Sequence, residues 1–205
     1  FFFKQKTAYE ISTRDWSSDV CSSDLESAPA YSSVTVFFNL STVKKNCGMS
    51  SAFEFVRESV ERVAKKTRRG KHVSERIVDV PLIVGKEFSL DLQLIADENG
   101  LSPDDVIEIF LSRTYRVYML GFLPGFAYMG DVDERIAIGR RATPRLKVPK
   151  GSVAIAGRQT GIYSLESPGG WQIIGRTPVE MFVPSKKQPC LVEPGDAVRF
   201  VLKKA

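Results

Sequence analysis

The sequence predicts an α+β chain in which a small strand and helix unit precedes a closed, glycine-punctuated β-barrel. Three observations lead there. A β-branched and aromatic run, Val34 to Asn39, is followed by an amphipathic stretch from Ser51 to Lys66. A second pair of helical signals lies between Leu90 and Phe110. Beyond Tyr115 the pattern changes to short apolar runs separated by Gly and Pro, the spacing of a small all-β barrel rather than a layered α/β sheet.

The elements follow in order. Phe1 to Leu25 carries no sustained apolar period. It has no basic start, apolar run and small-residue cleavage site of a secretory signal. It resembles the translated sequencing-adapter string found at the ends of proteins inferred from assembled reads, and the other reading is a natural disordered tail. Residues 1–25 are therefore set apart as non-native, and fold expectations begin near Glu26. In the stretch from Ser51, Phe53, Val56, Val60 and Val63 are expected to form the buried stripe. A basic connector follows, and then Glu75 to Val84, where Val78, Val80 and Leu82 alternate with Asp79 and Pro81. Pro81 lacks an N–H and points to an edge strand. Leu90, Leu94 and Ile95 give a short helical face stopped by Asn99 and Gly100. Ser102-Pro103-Asp104-Asp105 supplies an N-cap, a first-turn proline and acids at the positive helix end, with Val106, Ile107, Ile109 and Phe110 as the buried side. The barrel runs are VYMLGF, SVAIA, GIYSL, WQIIG, CLVE and AVRFV, and Glu193-Pro194-Gly195-Asp196 reads as a type II turn. The expected division is 26–84 for the first domain with its linker strand and 85–205 for the helices and barrel.

Composition excludes several functions. At 43% hydrophobic and 26% charged residues, the chain has the balance of a globular protein. Cys21, Cys47 and Cys190 show no CxxC spacing, and His72 is the sole histidine, so neither a disulfide framework nor a metal site is expected. The net charge of +5 is concentrated at Lys65, Lys66, Arg68, Arg69 and Lys71 and at Lys186, Lys187, Lys203 and Lys204. Aromatics are not interleaved with either cluster, so nucleic acid is not an expected partner. Absence of a signal or membrane-length apolar run points to the cytoplasm.

Three motifs carry the chemistry. Gly121 to Tyr128, GFLPGFAY, fixes a turn that presents Phe122, Phe126 and Tyr128 around Pro124 and Gly125; these aromatics either project as a binding rim or plug one end of the barrel. Gly157 to Tyr163, GRQTGIY, sets Gln159 and Thr160 between glycines, either to meet a carboxylate or carbonyl or as a tight polar turn. Ser167 to Thr177, SPGGWQIIGRT, offers Gly169, Gly170 and Trp171, where consecutive amides suit an anion. Arg145 and Arg176 then either fork a carboxylate or phosphate or make surface salt bridges. Asp131, Asp133 and Glu134 read as a solvated turn. No GxxxxGK[ST], GxGxxG or GxSxG sequence occurs, so neither direct ATP binding nor an independent nucleophile is supported, and no catalytic residue is assigned.

These three motifs, in this order and separation, resemble the 5-oxoprolinase B-subunit family (PxpB), also known as KipI or allophanate hydrolase subunit 1, over Val34 to the end of the chain. The resemblance implies a truncated ferredoxin-like N-terminal domain, its first strand and helix missing, followed by a cyclophilin-like β-barrel. It implies action with a PxpC or KipA type homologue and a PxpA type protein in ATP-dependent opening of 5-oxoproline to glutamate. No cofactor is expected on this chain alone, with ATP used by the assembled complex. One branch of the family inhibits a sensor histidine kinase, and related domains occur in biotin-dependent urea carboxylase. Composite-site candidates are Phe122, Pro124, Gly125, Phe126, Tyr128, Arg145, Gln159, Thr160, Tyr163, Gly169, Gly170, Trp171 and Arg176. Family members place a histidine shortly before the Tyr115-Arg116-Val117-Tyr118 strand, where this chain has Phe110, so no role is carried over from that histidine.

Overall fold

The computed structural model describes residues 25–31, 33–47, 51–66 and 76–203, and the chain divides into two compact units between Ser74 and Glu75. Residues 1–24, His72 and most of the basic connector lie outside the described residues.

In the first unit, β1 (Leu25–Pro29) and β2 (Val34–Phe38) form an antiparallel hairpin in which Leu25 is opposite Phe38 and Pro29 is opposite Val34. Two helices follow, α1 (Leu40–Cys47) and α2 (Ala52–Lys66). Asn39 caps α1, its Oδ1 accepting from the Ser41 and Thr42 amides at 3.0 and 3.2 Å, and that short helix was not predicted. Val43, Ala52, Val56 and Val60 form the core of this unit, with Val36 and Phe38 packed on it. Phe53, expected in the stripe, is 55% exposed. Ala52, one residue earlier, takes the buried place.

The second unit is built on a closed barrel. Its strands are β3 (Ile77–Ile83), β4 (Thr114–Leu120), β5 (Ala127–Gly130), β7 (Ser152–Ala156), β8 (Gln159–Ile162), β10 (Gln172–Arg176) and β11 (Ala197–Lys203), in the spatial order β10-β3-β11-β4-β5-β8-β7. The strand expected to be a linker is therefore a stave, which moves the division from residue 84 to residue 74. β3 and β11 run parallel in full register, Ala197 opposite Ile77 through Lys203 opposite Ile83. On its other side β3 meets β10 only at Ile83 opposite Arg176. That sparse seam is where Pro81 is tolerated although a closed barrel has no free edge. A separate two-stranded sheet pairs β6 (Arg145–Val148) with β9 (Ser167–Gly169). GIYSL contributes only its first residues to a strand, and CLVE only an isolated bridge between Cys190 and Phe182.

Helices α3 (Leu92–Asn99) and α4 (Pro103–Leu111) pack on the barrel. α4 opens on the expected cap: Ser102 accepts from the Asp105 amide at 3.1 Å, and the Asp105 carboxylate accepts from the Ser102 amide at 2.9 Å. In α3 the buried face is Leu92, Ile95 and Ala96, while Leu90 and Leu94 are 48% and 40% exposed. The i, i+3, i+4 spacing thus starts at Leu92 rather than Leu90. Phe110 is fully buried, its ring 4.8 Å from Tyr115 and 5.0 Å from Phe200, and its carbonyl accepts from the Tyr115 hydroxyl at 2.7 Å. In this chain the position serves packing. The Glu193 to Asp196 turn forms as predicted, with Gly195 at φ +98° and the Asp196 amide donating to the Glu193 carbonyl at 3.1 Å.

Strand alternation separates two apolar clusters, and this positions the site. Val153, Ile155, Ile162, Ala127, Met129 and Ile174 join the main core. Their neighbours Ala154, Ala156, Tyr163, Phe126 and Ile173 join a second cluster with Val148 and Trp171. Successive side chains of a strand point to opposite faces, so one set of staves serves both.

Candidate functional site: an arginine-ringed aromatic wall

The loop from Gly121 to Phe126 is held by its own backbone. The Leu123 amide donates to the Gly121 carbonyl at 2.8 Å, and the Phe126 amide donates to the Leu123 carbonyl at 2.9 Å. The first bond closes a tight turn on Phe122, which takes φ +68°, a strained conformation for a residue with a Cβ. The second closes a turn in which Pro124 presets φ and Gly125 adopts φ +75°. A Cβ on Gly125 would lie 2.9 Å from the Met181 carbonyl oxygen, so only glycine fits.

Phe126 is buried at the centre of an edge-to-face cluster. Its ring centroid lies 4.8 Å from Tyr128, 5.3 Å from Tyr163 and 5.6 Å from Trp171. Phe122 stands above it, 60% exposed, 5.5 Å from Phe126 and 6.4 Å from Tyr163. The two readings of these aromatics are each realised in part: Phe126, Tyr163 and Trp171 fill space, and Phe122 projects. The glycine spacing has a steric cause. A Cβ on Gly161 would stand 2.8 Å from the Phe126 ring, and one on Gly169 would overlap the Tyr163 phenol. Rings therefore lie directly on backbone.

Beside this wall sits a charge hub that sequence reasoning missed. Asp91, with a side chain only 4% exposed, accepts from Arg145 at 2.6 Å and Arg141 at 3.1 Å through Oδ1, and from the Ile173 amide at 2.7 Å through Oδ2. Arg141 is tied to the glycine pair by its amide, which donates to the Gly170 carbonyl at 2.8 Å. Arg140 lies over the Trp171 ring, 5.8 Å from its centroid. Gln172 is buried and donates through Nε2 to the Gly139 carbonyl at 3.2 Å. Burial raises the Tyr163 phenol pKa above its ordinary value; a backbone hydrogen bond from Trp171 and the charges of Arg140 and Arg145 pull the other way. The wall thus sets a phenol that stays protonated beside guanidiniums. The density of arginine in GRRATPR was the available signal; nothing local to Asp91 marks it as their partner.

Of the predicted residues, the fold brings together Phe122, Phe126, Tyr128, Arg145, Tyr163, Gly169, Gly170 and Trp171, with Pro124 and Gly125 shaping the loop. Three are not part of this group. Thr160 is fully buried, and its hydroxyl donates to the Ala154 carbonyl at 2.9 Å, so it fastens the β7–β8 hairpin. Gln159 pairs with Ala156 at the start of β8. Arg176 does not fork with Arg145. It occupies the far end of β10, donates through Nε to the Lys150 carbonyl at 2.9 Å, and lines a separate cavity of about 310 Å³ with Phe88, Lys150, Thr177 and Glu180. Nor is the acidic turn simply solvated: Asp133 is buried and accepts from Arg113 at 2.6 Å and Arg135 at 3.1 Å. Among the described residues no cluster of His, Cys, Asp or Glu is placed to hold a metal ion, and no helix is long and apolar enough to cross a membrane.

Comparison with known proteins adds the following. Residues 6–192 match the family model for the carboxyltransferase domain, subdomain C and D. The 5-oxoprolinase B subunit of Bacillus subtilis (strain 168) is 45% identical over 179 residues, covering 86% of this chain and 75% of that protein. The protein of the same name from Escherichia coli O157:H7 is 47% identical over 129 residues, covering 63% of this chain and 59% of its own length. The crystal structure of a conserved uncharacterized protein from Pyrococcus horikoshii superposes with a TM-score of 0.62 at 42% identity, covering 98% of this chain and 92% of that one.

Proposed function

This chain belongs to the 5-oxoprolinase B-subunit family, and we propose that it is the B subunit of an ATP-dependent 5-oxoprolinase. In that reading it acts in the cytoplasm with PxpC-type and PxpA-type partners. The assembly adds water across the lactam C–N bond of 5-oxoproline to give glutamate, driven by ATP. One observation carries the division of labour: the rim of this barrel supplies binding groups, with Arg141 and Arg145 set around one carboxylate and Arg140 over the Trp171 ring of an aromatic wall. These groups orient a small acid. None of them is a nucleophile paired with a base, so the bond-breaking groups come from a partner and the chain alone is inactive.

Coexpression with the PxpA-type and PxpC-type partners is expected to give ATP-dependent glutamate release from 5-oxoproline. Omitting this chain should abolish it, and the purified chain should show no turnover. Undiminished activity after omission would remove the assignment.

A further inference from the structure

We propose that Arg140, Arg141 and Arg145 form the carboxylate-reading end of the composite site, so that this chain selects a lactam bearing a free acid over a neutral one. The inference rests on the oxoprolinase reading above and says which part of the substrate this chain recognises.

Charge is the first argument. Two guanidiniums share the single Asp91 carboxylate, and a third, that of Arg140, lies over the Trp171 ring. The acid on the turn leading into β9, Glu166, is already paired with Lys147 at 3.0 Å. A second anion is therefore favoured here, and the adjoining rings make the surroundings less polar than water, which strengthens its attraction.

Hydrogen-bonding capacity is the second argument. Arg145 Nη1 and Arg141 Nε are buried without a partner, although another nitrogen of each guanidinium is held by Asp91. The buried Gln172 likewise leaves Oε1 unpartnered while its Nε2 bonds to Gly139. Buried polar groups are nearly always satisfied, so these three atoms, two on the arginine partners of Asp91 and one on the residue preceding Ile173, call for a ligand. Two donors and one acceptor complement a carboxylate next to an amide N–H, as in a lactam acid. Arg145 is prepositioned by a 2.6 Å bond to Asp91, which lowers the ordering cost of a forked contact.

The experiment uses the assembled complex with Arg145→Lys, which keeps the charge and removes the fork, and Arg140→Ala, an exposed position that leaves the hub intact. Lys186→Ala is the control. Steady-state kinetics with 5-oxoproline are combined with calorimetric binding of 5-oxoproline and of 2-pyrrolidinone, which lacks the carboxylate. Arg145→Lys should raise KM about ten- to hundredfold, the range for losing a charge-assisted bond, with kcat changed less than about threefold. Arg140→Ala should raise KM several-fold. 2-Pyrrolidinone binding should be equal in all forms. An unchanged KM in both variants, with the wild-type complex active, overturns the inference and leaves the oxoprolinase reading standing. A wild-type complex that binds 5-oxoproline without hydrolysing it removes that reading, and the loss or retention of binding in Arg145→Lys then decides the inference. Failure of the wild type to bind it at all overturns both.

Discussion

Replacing Asp91 with alanine should be the most damaging single change in the barrel unit that leaves its apolar core intact. The carboxylate is 4% exposed and accepts from two guanidiniums and one backbone amide. Its removal strands the Arg145 head group, the Ile173 N–H and part of Arg141. Breaking a buried ion pair from one side costs about 3–5 kcal/mol. Because Arg141 keeps a third of its side chain in water, the lower part of that range applies, about 3–4 kcal/mol. For a unit of about 130 residues the unfolding entropy near the midpoint is roughly 0.27 kcal/mol/K, which converts the loss to a fall in Tm of about 11–15 °C. Calorimetry on the purified chain reads this directly. Arg145→Met in the Asp91→Ala background separates the mechanism from generic damage, because the second change then removes an already uncompensated charge. The double variant should be more stable than the sum of the single losses predicts by at least about 1.5 kcal/mol. A loss below about 1 kcal/mol for Asp91→Ala, or additive losses, would refute the hub as the organising contact.

Three further outcomes are expected. Phe122→Gly relieves the positive φ, a gain of about 1 kcal/mol offset by the lost ring contacts, so Tm should stay within a few degrees while activity of the assembled complex falls; an unchanged activity would mean the strain serves no purpose at the site. Gly161→Ala should destabilise by about 1–3 kcal/mol in urea unfolding, because the added carbon meets both the Phe126 ring and the Ala127 carbonyl; a neutral result would show that the wall yields easily. Asp133 is held well below the usual carboxylate range by hydrogen bonds from Arg135 and Arg113, so its stabilising contribution is present above about pH 4 and is lost as pH falls toward the depressed value. Tm measured from pH 6 to pH 2 should therefore fall less steeply in Asp133→Asn, and parallel curves would contradict this.

The barrel was legible because its signals are local. Gly195 after Pro194 specifies its own turn, Ser102 and Asp105 specify their own cap, and VTVFF and SVAIA read as strands without neighbours. The aromatic half of the site was legible for a related reason: the glycines of GFLPGF, GRQTG and SPGG are needed where rings lie against backbone. What escaped depended on pairings distant in sequence. Thr160 looked like a ligand-facing hydroxyl, but the hairpin places the Ala154 carbonyl opposite it. Arg176 and Arg145 looked like one fork, but β10 carries Arg176 to the seam with β3 while the β6–β9 pair carries Arg145 to Gly169. Leu90 and Leu94 satisfied a helical period whose phase was set two residues later by the packing of Leu92.

Asp91 shows how a local rule gives way at a functional position. It occupies the N-cap of α3, where an aspartate ordinarily accepts a hydrogen bond from the first turn, yet its side chain makes no capping bond. Forgoing that bond costs the helix about 0.5–2 kcal/mol. The backbone of the same residue remains tied to the barrel, its amide donating to the Ile173 carbonyl at 2.9 Å while its carboxylate accepts from the Ile173 amide. That reciprocal clamp fixes the carboxylate relative to β10, and β10 carries Gln172 and follows directly on Trp171. The helix start, the strand and both arginines are thereby set by one residue, whose backbone and carboxylate are both fastened to Ile173. A cap in the ordinary place would stabilise α3 and leave Arg145 free to turn toward solvent.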